Sequence, residues 1–275
     1  MSHHHSVIKK VLIVDYIIAL LAVLVMYAVG STDTLLNALY GVLFLGFIPV
    51  IGGINGLFLA KHWGGFRSAV GKAVILLSLG LIFWGAGTYI FSGIYNFLLE
   101  VEVPYPSFAD VGYVLSLPLW AMGIIQLSRA TGAKYGLRSS GGKVILLIIP
   151  AIIIAISYYL LVVVARGGSF DFSDAGLLKL FFDLAYPIGD VVILTLATLV
   201  YGLSYSYFGG TYKKAIYTIL AGFIVLYVAD FSFSYSTTLE TFYPGDWIDL
   251  AFTSAMFLLS IGIGMLNPKE TQKNS

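Results

Sequence analysis

The chain has 275 residues, 59% hydrophobic and only 11% charged, with a mean hydropathy of +0.93. Soluble domains carry about 25% charged residues, so this composition excludes an ordinary soluble fold, and its long apolar runs favour spanning helices over a barrel. The net charge of +1 supplies no field for nucleic acid, and the absence of cysteine excludes disulfides and thiolate metal sites.

Residues 1–10 read as a cytoplasmic flank. The run His3-His4-His5 has metal-binding chemistry, but reads first as a disordered tail or expression remnant; His62 is the fourth histidine and also lies in a polar flank. Eight spanning helices follow, at approximately Val11–Val29, Leu35–Ala60, Val70–Phe97, Phe108–Leu127, Val144–Ala165, Leu177–Tyr205, Ala215–Ser236 and Trp247–Leu266. Several exceed the roughly 20 residues a bilayer needs, so tilts or kinks are expected. Lys9 and Lys10 before the first helix, with Ala28-Val29-Gly30 after it, mimic a signal peptide; the repeat described below requires that helix to be retained. The expected organisation is a single membrane bundle over 11–267, with half one at about 11–130 and half two at about 144–267. A short cytoplasmic tail at 268–275 follows. The loop from Arg129 to Lys143 is the longest on the cytoplasmic side and is too short for a catalytic domain.

With the N-terminus in the cytoplasm, the inner flanks hold 13 of the 15 basic residues, leaving Arg166 and Lys179 outside. The outer loops carry Asp33, Glu100, Glu102, Asp171, Asp174, Glu240 and Asp246. This asymmetry predicts an even helix count and cytoplasmic ends in a cell membrane.

The two halves share a pattern. Leu35-Leu36, Pro49 and Trp63-Gly64-Gly65 punctuate one helix, and Leu177-Leu178, Pro187 and Phe208-Gly209-Gly210 punctuate another. Gly80-Leu81-Ile82-Phe83-Trp84 matches Gly222-Phe223-Ile224-Val225-Leu226. Each leads through an acidic outer loop to a proline and an aspartate, at Pro106 to Asp110 and at Pro244 to Asp249. Four helices per half would give both halves the same orientation. The expected fold class is therefore an all-α integral membrane protein, a tandem 4+4 parallel pseudo-repeat about an axis along the membrane normal.

The candidate chemistry is carboxylate and aromatic. Phe182-Asp183-Leu184-Ala185-Tyr186-Pro187-Ile188-Gly189-Asp190 places two aspartates on one helix face, two turns apart. Pro187 has no N–H for the Asp183 carbonyl, which predicts a bend between them. An aspartate at the centre of a membrane helix costs roughly 2.5–3.5 kcal/mol on insertion scales, so it tends to face a bundle interior or a wet cavity. Asp190 is the deepest, about 20 Å from the outer end of its helix. Asp230 lies about one and a half turns inside the seventh helix. The expected site is an outward-facing cavity holding Asp190 and Asp230, with Asp183 at its mouth. Asp110 and Asp249 contribute, and Trp84, Tyr89, Tyr186 and Tyr227, with Tyr95, Tyr113 and Tyr235, surround it. Its chemistry suits a cation, an amine or another protonatable small molecule.

Each residue also has a structural reading. Asp183 sits four after Lys179 and can pair with it. Asp110 and Asp249 stand near helix N-termini, where carboxylates cap. Asp190 and Asp230 can simply hydrogen-bond each other. Asp15 reads as snorkelling toward Lys9 or Lys10. The glycines beside Trp84, and Gly52, Gly53 and Gly56, read as close helix packing. The sequence carries no phosphate loop, nucleophile elbow or histidine–carboxylate cluster, so neither an enzyme nor a cofactor is expected.

The run Trp84-Gly85, Tyr89, Gly93, Pro104-Tyr105-Pro106-Ser107-Phe108-Ala109-Asp110 and Pro118-Leu119 resembles the N-terminal multi-helix membrane sensor regions of bacterial signalling proteins. Those regions precede diguanylate cyclase, cyclic-di-GMP phosphodiesterase or histidine kinase domains. Ala185-Tyr186-Pro187 with Asp190, Ala229-Asp230, and Pro244-Gly245-Asp246-Trp247 with Asp249 are similar to that family's second half, and the likeness spans roughly 75–265. Family members usually carry an output domain after the last helix, which this sequence does not. The resemblance therefore implies a stand-alone sensor or receptor-like module that signals to a separate cytoplasmic protein. The expected mechanism is a change in occupancy or protonation at the carboxylates that shifts the sixth and seventh helices about Pro187 and moves the Lys213–Lys214 loop. Two other classes fit the same composition. One is a proton- or cation-coupled secondary transporter, which would need access from both faces. The other is a structural subunit of a membrane complex.

Overall fold

The computed structural model describes residues 2–32, 35–130, 140–165, 167–168, 177–204 and 213–267. Among these residues there are helices and turns and no strand. Eight helices are long and apolar enough to cross a membrane: α1 Ser6–Val29, α2 Leu35–His62, α3 Ala69–Leu98, α4 Phe108–Ala130, α5 Lys143–Val164, α6 Leu177–Gly202, α7 Lys213–Thr238 and α8 Trp247–Gly264. The protein is thus an all-helical, multi-pass membrane protein. The first helical stretch runs back to Ser2, through the histidines expected to form a tail. Lys134, Arg138, Arg166, Asp33, Asp171, Asp174, Phe208-Gly209-Gly210, Lys269 and Lys273 lie outside the described residues.

Glycine-mediated contact builds the core. A side chain at Gly80 would collide with the Trp120 ring, and one at Gly123 with Leu77, so α3 and α4 close on each other. Trp120 fills the space, with its indole N–H donating to the Leu77 carbonyl at 3.2 Å. Gly222 stands in the same way against Leu259, and Gly262 against Ile219, so α7 closes on α8. Small residues let backbones approach where lipid supplies no hydrophobic drive between helices. Gly52, Gly53 and Gly56 of α2 do pack closely, against Ser260, Ile82 and Ser78.

The helix ends are tied at matching levels. Tyr27 at the end of α1 accepts the Trp247 N–H at the start of α8, and Asn37 at the start of α2 donates to the Pro244 carbonyl at 2.8 Å. At the opposite side, the Trp63 indole after α2 donates to the Leu266 carbonyl after α8 at 2.6 Å. These contacts fix α8 against α1 and α2.

Three helices widen into π geometry, at Gly41–Gly46 in α2, Tyr89–Leu98 in α3 and Tyr158–Val164 in α5. The first has a clear cause. Pro49 has no N–H for Leu45 and its ring crowds that carbonyl, and the wider turn ahead of it relieves the crowding. Pro187 is accommodated differently: it sits inside an uninterrupted α-helical stretch, Leu177–Ser204.

Candidate functional site

Asp190 and Asp230 meet. Their carboxyl groups lie within hydrogen-bonding reach of each other, one from α6 and one from α7. Asp190 is 7% exposed. Counting along the helices puts Asp190 about 20 Å from the Leu177 end of α6 and Asp230 about 12 Å from the Thr238 end of α7. An ionised carboxylate only accepts hydrogen bonds, so two carboxyls can bond each other only if one of them carries a proton. An aromatic flanks the dyad: Tyr227, one turn before Asp230 on α7, donates to the Ser157 hydroxyl of α5 at 2.8 Å and lies within electrostatic reach of Asp190.

Asp110 and Asp183 form a second group nearer the same ends of the helices, at the start of α4 and in the first half of α6. The Tyr186 hydroxyl of α6 donates to Asp110 at 2.6 Å, and the Tyr105 hydroxyl donates to Asp183 at 2.9 Å. The two bonds run in opposite directions between the same two segments, the entry to α4 and the outer half of α6. Asp110 also accepts the Ser107 N–H at 2.6 Å, while Ser107 Oγ accepts the Ala109 N–H at 3.2 Å. Serine followed three residues later by an acid is a capping-box pattern. Capping and a long-range contact therefore coexist at Asp110.

Asp249 caps in a related way. Asp246 is the N-cap of α8 and accepts from Ile248 and Asp249, while Asp249 reaches back to the Gly245 N–H at 2.6 Å. Asp246 stands just outside the helix, where burial raises its carboxyl to about 6 despite the two backbone donors. Asp249 is 8% exposed, and Tyr113 of α4 lies within electrostatic reach of Asp110, Asp230 and Asp249. Tyr113 is therefore the aromatic that sits among three of the carboxylates.

Trp84 is a packing residue. It lies between Tyr113 and Phe252, with ring centroids at 5.4 and 5.8 Å, and joins α3 to α4 and α8. Tyr89 belongs elsewhere. Its ring lies against Gly46 of α2, and its charged neighbour is Asp15 of α1 rather than the dyad. Depth alone grouped Tyr89 with Asp190; the direction in which it points separates them. Tyr235, on the exposed side of α7, stacks on Phe231.

Two polar groups stand apart from what residue spacing suggested. Asp15 does not simply snorkel: its Oδ2 is buried without a hydrogen-bond partner, one residue from Tyr16, whose hydroxyl bonds Ser254 of α8 at 2.8 Å. The Thr195 hydroxyl, five residues inward of Asp190 on α6, is likewise buried without a partner. Asp15 carried a usable signal, an acid within an apolar run; Thr195 and Tyr105 carried none beyond residue type.

Among the described residues no group of three or more histidine or acidic side chains is placed to hold a metal ion. The chain matches no family model, and no curated protein and no solved structure matches it.

Proposed function

We propose that this protein is a membrane sensor module whose switch is the Asp190–Asp230 dyad, read out by movement of α6 against α7. The observation that carries the reading is the mutual hydrogen bond of two carboxyls deep within apolar helices. Such a pair binds one proton or exchanges it for a cation, and either change alters the force between the two helices. A purely structural pair would also bond internally. The location of this one favours a moving part. Only 22% of the most apolar stretch of α6 is buried, as in α1 and α5, against 50% for that of α2. Its outer half is tied by hydroxyl–carboxylate bonds that can be exchanged, and within its continuous helix Pro187 has no N–H to offer the Asp183 carbonyl. The ligand class suited to the dyad is a proton, a monovalent cation or an amine, reaching it from the outer side, with the output passed to a cytoplasmic protein.

Four features support the 4+4 repeat within this reading. Gly80 with Trp120 parallels Gly222 with Leu259, and Gly123 with Leu77 parallels Gly262 with Ile219. Ser107 with Asp110 parallels Asp246 with Asp249 at the entry to the last helix of each half. Contact between halves is reciprocal, α2 packing on α8 and α6 on α4. The basic residues Lys61, Arg67, Lys72, Arg129, Lys143, Lys213 and Lys214 flank the helix ends assigned to the cytoplasm, as cytoplasmic termini require.

Proton- or cation-coupled transport is the second reading. The buried Thr195 hydroxyl inward of Asp190 favours it, because a coupled path must continue past the dyad.

The cysteine-free sequence makes the test direct. Spin labels on Phe66→Cys and Val192→Cys, both exposed positions, report α6 against the α2–α3 turn. The sensor reading expects the distance distribution to change with pH or with added cation, and the change to vanish in Asp190→Asn with Asp230→Asn. Distributions that never change, or that change equally in the double variant, contradict it. Uptake driven by a pH gradient in proteoliposomes would replace sensing by transport.

A further inference from the structure

On the inner side of the dyad, α6 and α7 part. A groove of about 220 Å³ opens between them, lined by Ala197, Thr198 and Tyr201 on one wall and Tyr217, Leu220 and Ile224 on the other. Its walls are almost wholly apolar. The one hydroxyl of Thr198 is spent on the Leu194 carbonyl at 2.8 Å. Ile224 is 52% exposed, so the groove opens on the outer surface of the bundle, the surface that faces hydrocarbon in a bilayer. The Tyr201 and Tyr217 rings, 5.4 Å apart, mark its inner end. Just beyond them, Lys213 places its ammonium 5.5 Å from the centroid of the Tyr217 ring, and Lys214 follows it.

We propose that this groove is a specific site for an anionic phospholipid of the cytoplasmic leaflet. One acyl chain lies between α6 and α7, and the phosphate rests on Lys213 and Lys214. The mostly apolar walls fit a chain, and the hydroxyls that line the groove besides Thr198 belong to Tyr201 and Tyr217 at its inner end. Lys213 beside Tyr217, with Lys214 next in sequence, supplies the headgroup preference, since a basic residue near an anionic surface adds attraction that a neutral or zwitterionic surface does not. The assignment rests on the orientation that puts Lys213 and Lys214 in the cytoplasm, and is independent of what the dyad binds. Because the chain wedges the same two helices that carry Asp190 and Asp230, lipid occupancy sets the angle from which the dyad works.

Native mass spectrometry of the detergent-purified protein, titrated with phosphatidylglycerol and phosphatidylcholine of identical chains, tests this. The expected result is one tightly held phosphatidylglycerol and weaker phosphatidylcholine. Lys213→Gln and Lys214→Gln should each weaken phosphatidylglycerol by about fivefold and leave phosphatidylcholine unchanged. Ala221→Phe, which fills the groove from α7, should remove binding of both lipids. Thr198→Phe fills it from α6, so failure of one variant to fold leaves the other as the test. Val228→Phe, on the 49% exposed face of α7, should bind as the wild type does. Equal affinity for the two lipids in the wild type, undiminished phosphatidylglycerol binding in the lysine variants, or undiminished binding in the folded groove-filling variants would each overturn the site.

Discussion

The two proline-bearing helices, α2 and α6, are built to opposite ends. α2 presents Gly52, Gly53 and Gly56 to its neighbours, absorbs Pro49 with a π turn and is half buried. α6 presents Gly189 to Leu117, carries Asp190, keeps Pro187 inside an α-helical run and has fewer of its residues fully buried than α2. Three close glycine contacts lock α2 along its second half, whereas α6 has one, Gly189 on Leu117, buries Ile193, Ala197 and Val200 in its second half, and is tied by hydroxyl–carboxylate bonds in its first. The difference teaches where movement can occur: packed glycine contacts fix a helix in one position, whereas hydroxyl–carboxylate bonds can be exchanged.

The largest effect that would sharpen this contrast comes from the glycines. A side chain at Gly53 would meet the Ser78 carbonyl at 2.6 Å, a backbone atom that cannot step aside. Gly53→Leu should lower stability by about 3 kcal/mol or more, or prevent folding. Gly202→Leu in α6 meets only the ends of Ile145 and Ile149, at 3.4 and 3.6 Å, and should stay within about 0.5 kcal/mol of the wild type. Reversible unfolding in mixed detergent measures both. Similar losses at the two sites would break the contrast.

Next is the dyad. Asp230→Ala leaves the Asp190 carboxyl buried without its partner and should cost about 1–3 kcal/mol, whereas Asp230→Asn keeps a donor and should cost less. The order of the two unfolding midpoints checks it. Smaller still is the outer tie. Tyr186→Phe removes the bond to Asp110, about 1 kcal/mol, and should speed amide exchange in residues 177–190 while leaving α2 unchanged. Tyr105→Phe, at a more exposed pair, should do less.

The smallest effect is at Asp246. Its carboxyl is raised to about 6 in the fold from 3.8, so the neutral form is favoured. Its contribution to stability is fully present below about pH 4 and is lost as pH rises through 6. The melting temperature of the wild type relative to Asp246→Asn should therefore fall by a few degrees across that window. A relative melting temperature that is flat, or that rises, would contradict the assignment.

Much of the fold was legible because bilayer length and charge asymmetry act on single helices, and each of the eight carries its own signal. That Asp190 and Asp230 lie near each other follows the depth of both in consecutive helices; the outward-facing cavity expected around them belongs to the proposal. What depth does not give is direction. Tyr89 stood at a suitable level but points toward Gly46 and Asp15. Tyr105 and Tyr186 lie 78 and 76 residues from their partners, and tyrosines near helix ends read first as interface anchors. The capping of Asp110 and Asp249 was written in local spacing; the reach of Tyr186 to Asp110 was not.

The account depends most on a proton held between two carboxyls inside the membrane. Infrared spectroscopy of the protein in lipid, in the carboxyl C=O stretching region, measures it directly. The predicted result is a protonated-carboxyl band that is shifted or lost in Asp190→Asn and again in Asp230→Asn, because each variant removes one side of the same bond. A band unaffected by either substitution, or no protonated-carboxyl band in the wild type, would contradict the account.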